Sequence, residues 1–261
     1  MDGGTDPKND GPNYVEATQK SIGVLRFLKE HGPATLSEVA KGTDSAKSTV
    51  YRHLQTLEEA GYLVDTDDGY RIGQLFLDYG IDAQRSHPLY DAGKPKVDAL
   101  AEQVGEKVWL VVEENGYVVY LYMQSGNELY RSFTRVGYRG HLHAFSAGKA
   151  ILAQLTKSEV NAIIDRRGLP SYTDQTITDR DALFEELDTI RQQGYALHLE
   201  EAVDGGNAIS VPIQREDGSP IGSICVAGPA HRLNESHLRT ELSDLLLGTK
   251  NEIELSMRYE A

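Results

Sequence analysis

The sequence predicts an α+β fold in two domains, on three observations. Residues 34–73 read as helix, turn, helix and β-hairpin, the order of a winged helix-turn-helix. Beyond His87-Pro88, short apolar strand runs are flanked by capped helices, which suits an antiparallel sheet with helices packed on it. A length of 261 residues fits two modest domains better than one. Residues 1–13, rich in Gly, Asp and Pro, are expected to be a disordered tail. The winged helix-turn-helix is assigned 14–73, a connecting helix 74–88, and the second domain 89–261.

The head builds up element by element. Tyr14 to Lys29 reads as a first helix, with Ile22, Leu25 and Leu28 apolar. Thr35 and Glu38 have capping-box spacing, so a helix starts near Leu36. Asp44 or Ser45 is expected to cap the next helix. There Ala46, Val50, Leu54 and Leu57 share one face at helical spacing. Ser45, Ser48, Arg52 and Gln55 fall opposite, with Lys47, Thr49 and Tyr51 beside them. Hydroxyls and cations on an exposed face suit contacts to phosphates and base edges. Tyr62-Leu63-Val64 and Tyr70-Arg71-Ile72 are apolar runs around the hairpin signal Asp68-Gly69. Arg71 on that wing is expected to touch a nucleic-acid backbone. The DNA-contacting candidates are therefore Ser45, Lys47, Ser48, Thr49, Tyr51, Arg52 and Arg71.

In the second domain, Tyr90 to Val104 looks helical. Val108–Val112 and Tyr117–Tyr122 are strand runs across Asn115-Gly116, a primed-turn signature. A further strand is read at 129–135. Ala147–Leu155 is read as a helix. A second capping box, Thr156 with Glu159, opens a helix to about Arg166. Asp179–Gln193 is a third helix, capped by Thr178 and stopped by Gly194. Strands follow at 196–200, 207–212 and 221–227, and Asn234–Arg258 is a long final helix.

The net charge of −14 conflicts at first sight with DNA binding, but local charge contacts phosphate. Ser45 to His53 holds Lys47 and Arg52 and no acid. The acidic surplus, with 11 Lys and 15 Arg, fits solubility in very high salt and points to a halophilic source. Cys225, the single cysteine, excludes an internal disulfide and fits a reducing cytoplasm. No run approaches membrane-span length and no secretory leader is read, so a cytoplasmic protein without membrane partners is expected.

Several residues invite sharper readings. His141-x-His143 would share a strand face and, with Glu200 or Glu201, hold a metal; metal sites usually need three or four ligands. His143 is expected instead to cap or hydrogen-bond near the helix at Ala147. Gly148-Lys149 lacks the rest of a phosphate loop. Cys225 sits in an apolar strand and reads as an inert thiol rather than a nucleophile. His198 is either a pocket residue or a satisfied core histidine. As strand neighbours, Glu200 and Glu201 point opposite ways, with His198 on the side of Glu200. Trp109 reads as core.

The residues also carry a family resemblance. In the head it rests on Lys47-Ser48-Thr49-Val50-Tyr51-Arg52-His53-Leu54 and Leu57-Glu58-Glu59-Ala60-Gly61-Tyr62. In the second domain it rests on Leu142 to Ala153, on Glu200-Glu201, on Val211-Pro212-Ile213, on 221–227 closed by Gly228-Pro229, and on Arg232. The chain resembles the IclR family of bacterial and archaeal transcription regulators, here from a halophilic archaeon. The resemblance implies a winged helix-turn-helix, a linker helix and a GAF-like effector-binding domain. It implies homodimers or homotetramers on palindromic double-stranded DNA operators. It implies control of catabolic genes by a small-molecule effector, a sugar-derived or aromatic acid, with no cofactor and no catalysis. Carried onto this chain, the effector residues are Ser146, Ala147, His198, Ala208, Cys225 and Ala227. Similar proteins that bind small keto acids carry Asp near His198, Cys near Ala208, and Ser near Cys225 and Ala227; His141 replaces a Pro. Ser146 at a helix start, where free N–H groups favour an anion, and His198 are expected to hold the effector from two sides. The rival readings are a small-molecule enzyme fused to a DNA-binding head and a constitutive dimeric DNA-binding protein.

Overall fold

The computed structural model describes residues 14–126 and 134–259. The expected tail, 1–13, and most of the strand expected at 129–135 lie outside the described residues. The chain forms two compact units that divide after Asp82.

In the first unit, α1 (Glu16–His31), α2 (Leu36–Gly42) and α3 (Lys47–Glu59) pack around Val24, Leu28, Val39, Val50 and Leu54. Of the apolar residues of α1, Val24 and Leu28 are buried, while Ile22 is 42% exposed. The Thr35–Glu38 capping box is present. The cap expected from Asp44 or Ser45 is not. Asp44 takes a left-handed φ of 46°, Ser45 Oγ donates to the Thr43 carbonyl, and Ala46 is an exposed N-cap without a side-chain bond. The hairpin strands are β1 (Leu63–Thr66) and β2 (Gly69–Ile72), with Thr66 opposite Gly69. The turn residues are thus Asp67-Asp68, not Asp68-Gly69. Gly69 serves a different need: its φ is 106°, and a Cβ there would lie 2.5 Å from the Ala34 backbone, which bridges to Tyr70.

Helix α4 (Leu75–Arg85) follows, and the division between the units falls inside it. It buries none of its residues; Leu77 is 62% and Tyr79 53% exposed.

The second unit opens with α5 (Leu89–Val104), directly after the Pro88 break. Its sheet has six strands: β3 (Lys107–Glu114), β4 (Tyr117–Ser125), β5 (Arg139–His141), β6 (Ala196–Leu199), β7 (Gly206–Gln214) and β8 (Pro220–Pro229). Their order is β5-β4-β3-β8-β7-β6, every pair antiparallel. Asn115 and Gly116 take φ of 55° and 81° between β3 and β4, as a primed turn requires. A 3₁₀ turn (Leu142–Ala144) leads into α6 (Ser146–Leu152), then α7 (Lys157–Arg167) and α8 (Arg180–Gln193). Asp179, not Thr178, caps α8: its carboxylate accepts from the Ala182 N–H at 2.9 Å. After β8 come α9 (Glu235–His237), a π-turn (Leu238–Leu242) and α10 (Ser243–Tyr259), which together form the expected final helix.

Strand alternation divides the core. Val108, Leu110, Leu197, Ile209 and Ile224 face Leu89, Val97, Leu246 and Ile253 of α5 and α10. Trp109, Val111, Ala196, Ala208 and Cys225 face the other way, onto Ala147, Ala150, Leu183 and Leu187 of α6 and α8. The site lies in this second layer.

Candidate functional site

The outward face of α3 carries Lys47, Ser48, Tyr51 and Arg52 exposed, with Ser45 and Thr49 half-buried. Gln55 Nε2 donates to the Tyr51 hydroxyl at 2.7 Å, which steadies that ring on the face. Ser45 and Thr49 turn toward an open groove beside α1, shared with Lys20 and His53. The wing differs from expectation: Arg71 is half-buried, and its guanidinium donates to the Ile72 carbonyl at 3.2 Å. β2 directs the side chain along its own strand rather than out from the wing.

In the second unit, five of the six carried-over residues line one cavity of about 40 Å³: Ser146, His198, Ala208, Cys225 and Ala227. Sheet register brings four of them together. His198, Ala208 and Ala227 form one rung across β6, β7 and β8. Ser210, Cys225 and Trp109 form the next across β7, β8 and β3. α6 supplies Ser146, whose Oγ is 2.8 Å from Ser210 Oγ and 3.9 Å from Cys225 Sγ. Ala147 does not line the cavity. One residue further along a helix turns the side chain by about 100°, and Ala147 packs in the apolar layer while its carbonyl accepts from Ser223 Oγ.

The walls are aromatic. Phe145 stacks on His198 at 6.3 Å, and Trp109 meets Tyr120 edge-on at 4.9 Å. Trp109, read as core, is therefore both buried and part of the wall. Tyr120, Thr134, Phe145 and Val203 also line the cavity, and sequence reasoning missed them. Tyr120 follows from alternation once the sheet order is known; Phe145 is placed as the N-cap residue of α6, and no local motif marks Val203.

Two wall groups are held neutral. Burial pushes the Cys225 thiol up to about 11, so it stays protonated and unreactive. Burial, assisted by nearby Lys149, brings the His198 imidazole down to about 4. His198 Nε2 accepts from the Ala202 N–H at 2.8 Å, while Nδ1 has no hydrogen-bond partner.

Beside the cavity lies a group that sequence reasoning set aside. Lys149, 1% exposed, binds both carboxylate oxygens of Glu201 at 2.7 and 2.8 Å and Glu186 at 2.9 Å. Burial raises the Glu201 pKa against the pull of Lys149. The sequence clue was a lone lysine three residues after Ser146 in an otherwise apolar helix. The expected face-sharing of His198 with Glu200 fails, because β6 ends at Leu199 and Glu200 takes a φ of 61°. Glu200 instead accepts from the Gly205 N–H.

His141 and His143 do not share a strand face either, since β5 ends at His141. His141 Nδ1 lies 2.7 Å from the Tyr172 hydroxyl, and His143 Nε2 lies 3.0 Å from the Pro170 carbonyl, not at the α6 start. Among the described residues, no three potential metal ligands converge.

Known proteins give this arrangement a family. Residues 17–67 match the IclR helix-turn-helix domain, and residues 82–255 match the bacterial transcriptional regulator IclR C-terminal domain. The chain belongs to the IclR family. The probable HTH-type transcriptional regulator ArcR of Halobacterium salinarum is 30% identical over 253 residues, covering 95% of this chain and 96% of its own. The crystal structure of the Thermotoga maritima IclR superposes with a TM-score of 0.76 at 27% identity, covering 94% of this chain and 99% of that one. An IclR homologue from Microbacterium hydrocarbonoxydans, complexed with 4-hydroxybenzoate, shares the fold at a TM-score of 0.78 and 24% identity, covering 93% and 99%. The IclR chain described here is thus a transcription regulator and not an enzyme, with a DNA-binding first unit and an IclR C-terminal domain. No helix among its described residues is long and apolar enough to cross a membrane.

Proposed function

We propose that the protein controls catabolic genes in response to a small carbon compound that enters the cavity beneath α6. The observation that carries this is the convergence of Ser146, His198, Ala208, Cys225 and Ala227 on one buried space. A unit that served only to dimerise would have no need of such a space. DNA is gripped by the α3 face, with Ser48, Tyr51 and Arg52 toward base edges and Lys47 toward phosphate. Ser45 and Thr49 contact the strand that runs along the α1 groove, and Arg71 steadies the wing. The working form is a homodimer or homotetramer on a palindromic operator. The exposed Phe76, Leu77, Tyr79 and Ile81 of α4 support a contact between copies. Ligand occupancy shifts the population of head arrangements that match two half-sites. The protein works in the cytoplasm, where its DNA is. The acidic surplus and the Halobacterium salinarum relative support a high-salt source.

The test is a titration of the protein's own upstream DNA, with and without a panel of sugar-derived and aromatic acids, each beside its uncharged counterpart. A panel member should change operator affinity at least fivefold, since coupling between such sites is typically about 1–3 kcal/mol. Operator binding that no panel member alters would favour the constitutive reading.

A further inference from the structure

The geometry points to an uncharged ligand: a small oxygen compound whose oxygen accepts a hydrogen bond from His198 Nδ1–H. This rests on the reading of the cavity as the effector site. His198 is 5% exposed and its ring lines the cavity. Its Nε2 is the acceptor for the Ala202 N–H, so in the neutral ring the proton sits on Nδ1. That Nδ1–H is buried and has no partner. The carbonyls of His198 and Gly206 lie near enough to favour the protonated ring weakly, yet neither completes a hydrogen bond with Nδ1. A buried donor left unmade is rare and unfavourable, and a ligand acceptor relieves it.

The charge of that ligand follows from what surrounds it. Among the described residues that line it, none is Asp, Glu, Lys or Arg. The nearby buried cation, Lys149, is already bound to the carboxylates of Glu201 and Glu186, so the neighbourhood has no net positive charge to offer. His198 and Cys225 are both neutral. The Ser146 hydroxyl is shared with Ser210. α6, about two turns long, offers dipoles but no full charge. An ionised carboxylate placed here would be buried with no counter-ion among the described lining residues, which is strongly unfavourable. Asn207 also lines the cavity and its Oδ1 is unpartnered, but its side chain is directed elsewhere. Asn207 pairs with Leu199, one residue out of step with His198, so it faces the opposite side of the sheet, where its Nδ2 donates to the Leu233 carbonyl. The cavity of about 40 Å³ holds on the order of three waters. It suits a compound of a few heavy atoms as it stands, and an aromatic one only after the walls move.

Matched pairs that differ in charge but not in shape test this: lactate with lactamide, pyruvate with pyruvamide, benzoate with benzamide. Calorimetry on the full chain should find the amide at least tenfold tighter than its acid in any pair that binds. His198→Leu should weaken the amide at least tenfold. His198→Asn, which keeps an N–H donor near the Nδ1 position, should retain most of the affinity. An acid that binds as tightly as its amide overturns the proposal and leaves the ligand-responsive regulator intact. Silence from every pair, with operator binding unimpaired, overturns the proposal and the assignment of this cavity as the effector site together.

Discussion

The outward face of α3 and the inner face of the β6–β8 sheet differ in how their polar groups are placed. On α3, Lys47, Ser48 and Arg52 are exposed to solvent. Beneath α6, almost every polar group is already assigned: Ser146 to Ser210, His198 Nε2 to Ala202, Lys149 to Glu201 and Glu186. The contrast teaches that the two sites have different energetics. The DNA face can lose a side chain without harm to the fold. In the ligand layer a removed group leaves a buried partner unmet, at a modest cost for a neutral hydrogen bond and a large one for the ion-paired Lys149.

The sharpest way to break this contrast is Lys149→Met. Removing that ammonium leaves the Glu201 carboxylate buried and unpaired, which should destabilise the second unit by about 3–5 kcal/mol. Trp109 is the sole tryptophan and lies in that unit, so its fluorescence in a denaturant titration reads the loss directly. Lys149→Met combined with Glu201→Leu should recover most of it. A single variant as stable as the parent would mean the interior charges are not structural. Arg52→Ala should do the converse. Operator affinity should fall by about 1–3 kcal/mol if Arg52 reads a base, while the Trp109 transition stays put. Unchanged affinity would remove Arg52 from the DNA surface.

A smaller effect comes from acid. His198 has a folded pKa of about 4 against an ordinary 6.5. The unfolded chain therefore takes up a proton first as pH falls. The stability of the neutral ring is fully present above about 6.5 and is lost progressively toward 4, by about 1–2 kcal/mol at pH 5. His143, also brought down to about 4, acts in the same direction. Glu201, whose pKa is raised, opposes them. Comparison with His198→Asn isolates the His198 share: the variant's stability should fall less between pH 7 and 5. Parallel curves for the two proteins would show that His198 is not held neutral by burial.

The same contrast explains what could be read in advance. The head was legible almost throughout, because capping boxes, helical spacing and turn residues act within a few positions. Its errors were local too: Gly69 was taken for a turn residue when its role is to let the Ala34 backbone approach. The helices and most strands of the second unit are also legible from short-range signals, though β5 (Arg139–His141) is not, and the cap of α8 falls one residue later, on Asp179. The cavity was legible only through family resemblance. Trp109 and Tyr120 enter it, and Ser210 comes to back Ser146, through sheet register across β3, β4, β7 and β8, which no short motif encodes. Strand alternation misled at Glu200, where a left-handed residue ends the pattern, and helix rotation moved Ala147 out of the site. The ion pairs of Lys149 are not legible in the sequence, because a lysine in an apolar helix is informative only when its carboxylate partners, 37 and 52 residues away, are known.

The central claim is that the cavity under α6 is coupled to the DNA face of α3. Its most direct test is operator binding by the parent and by the Ser146→Ala/His198→Ala double variant across a titration of an active effector. The parent's affinity should change by about 1–3 kcal/mol. The variant should bind operator within about threefold of the parent without effector, a difference below about 1 kcal/mol, and should no longer respond. A double variant that still responds at the same effector concentration would contradict the account and place the effector site elsewhere.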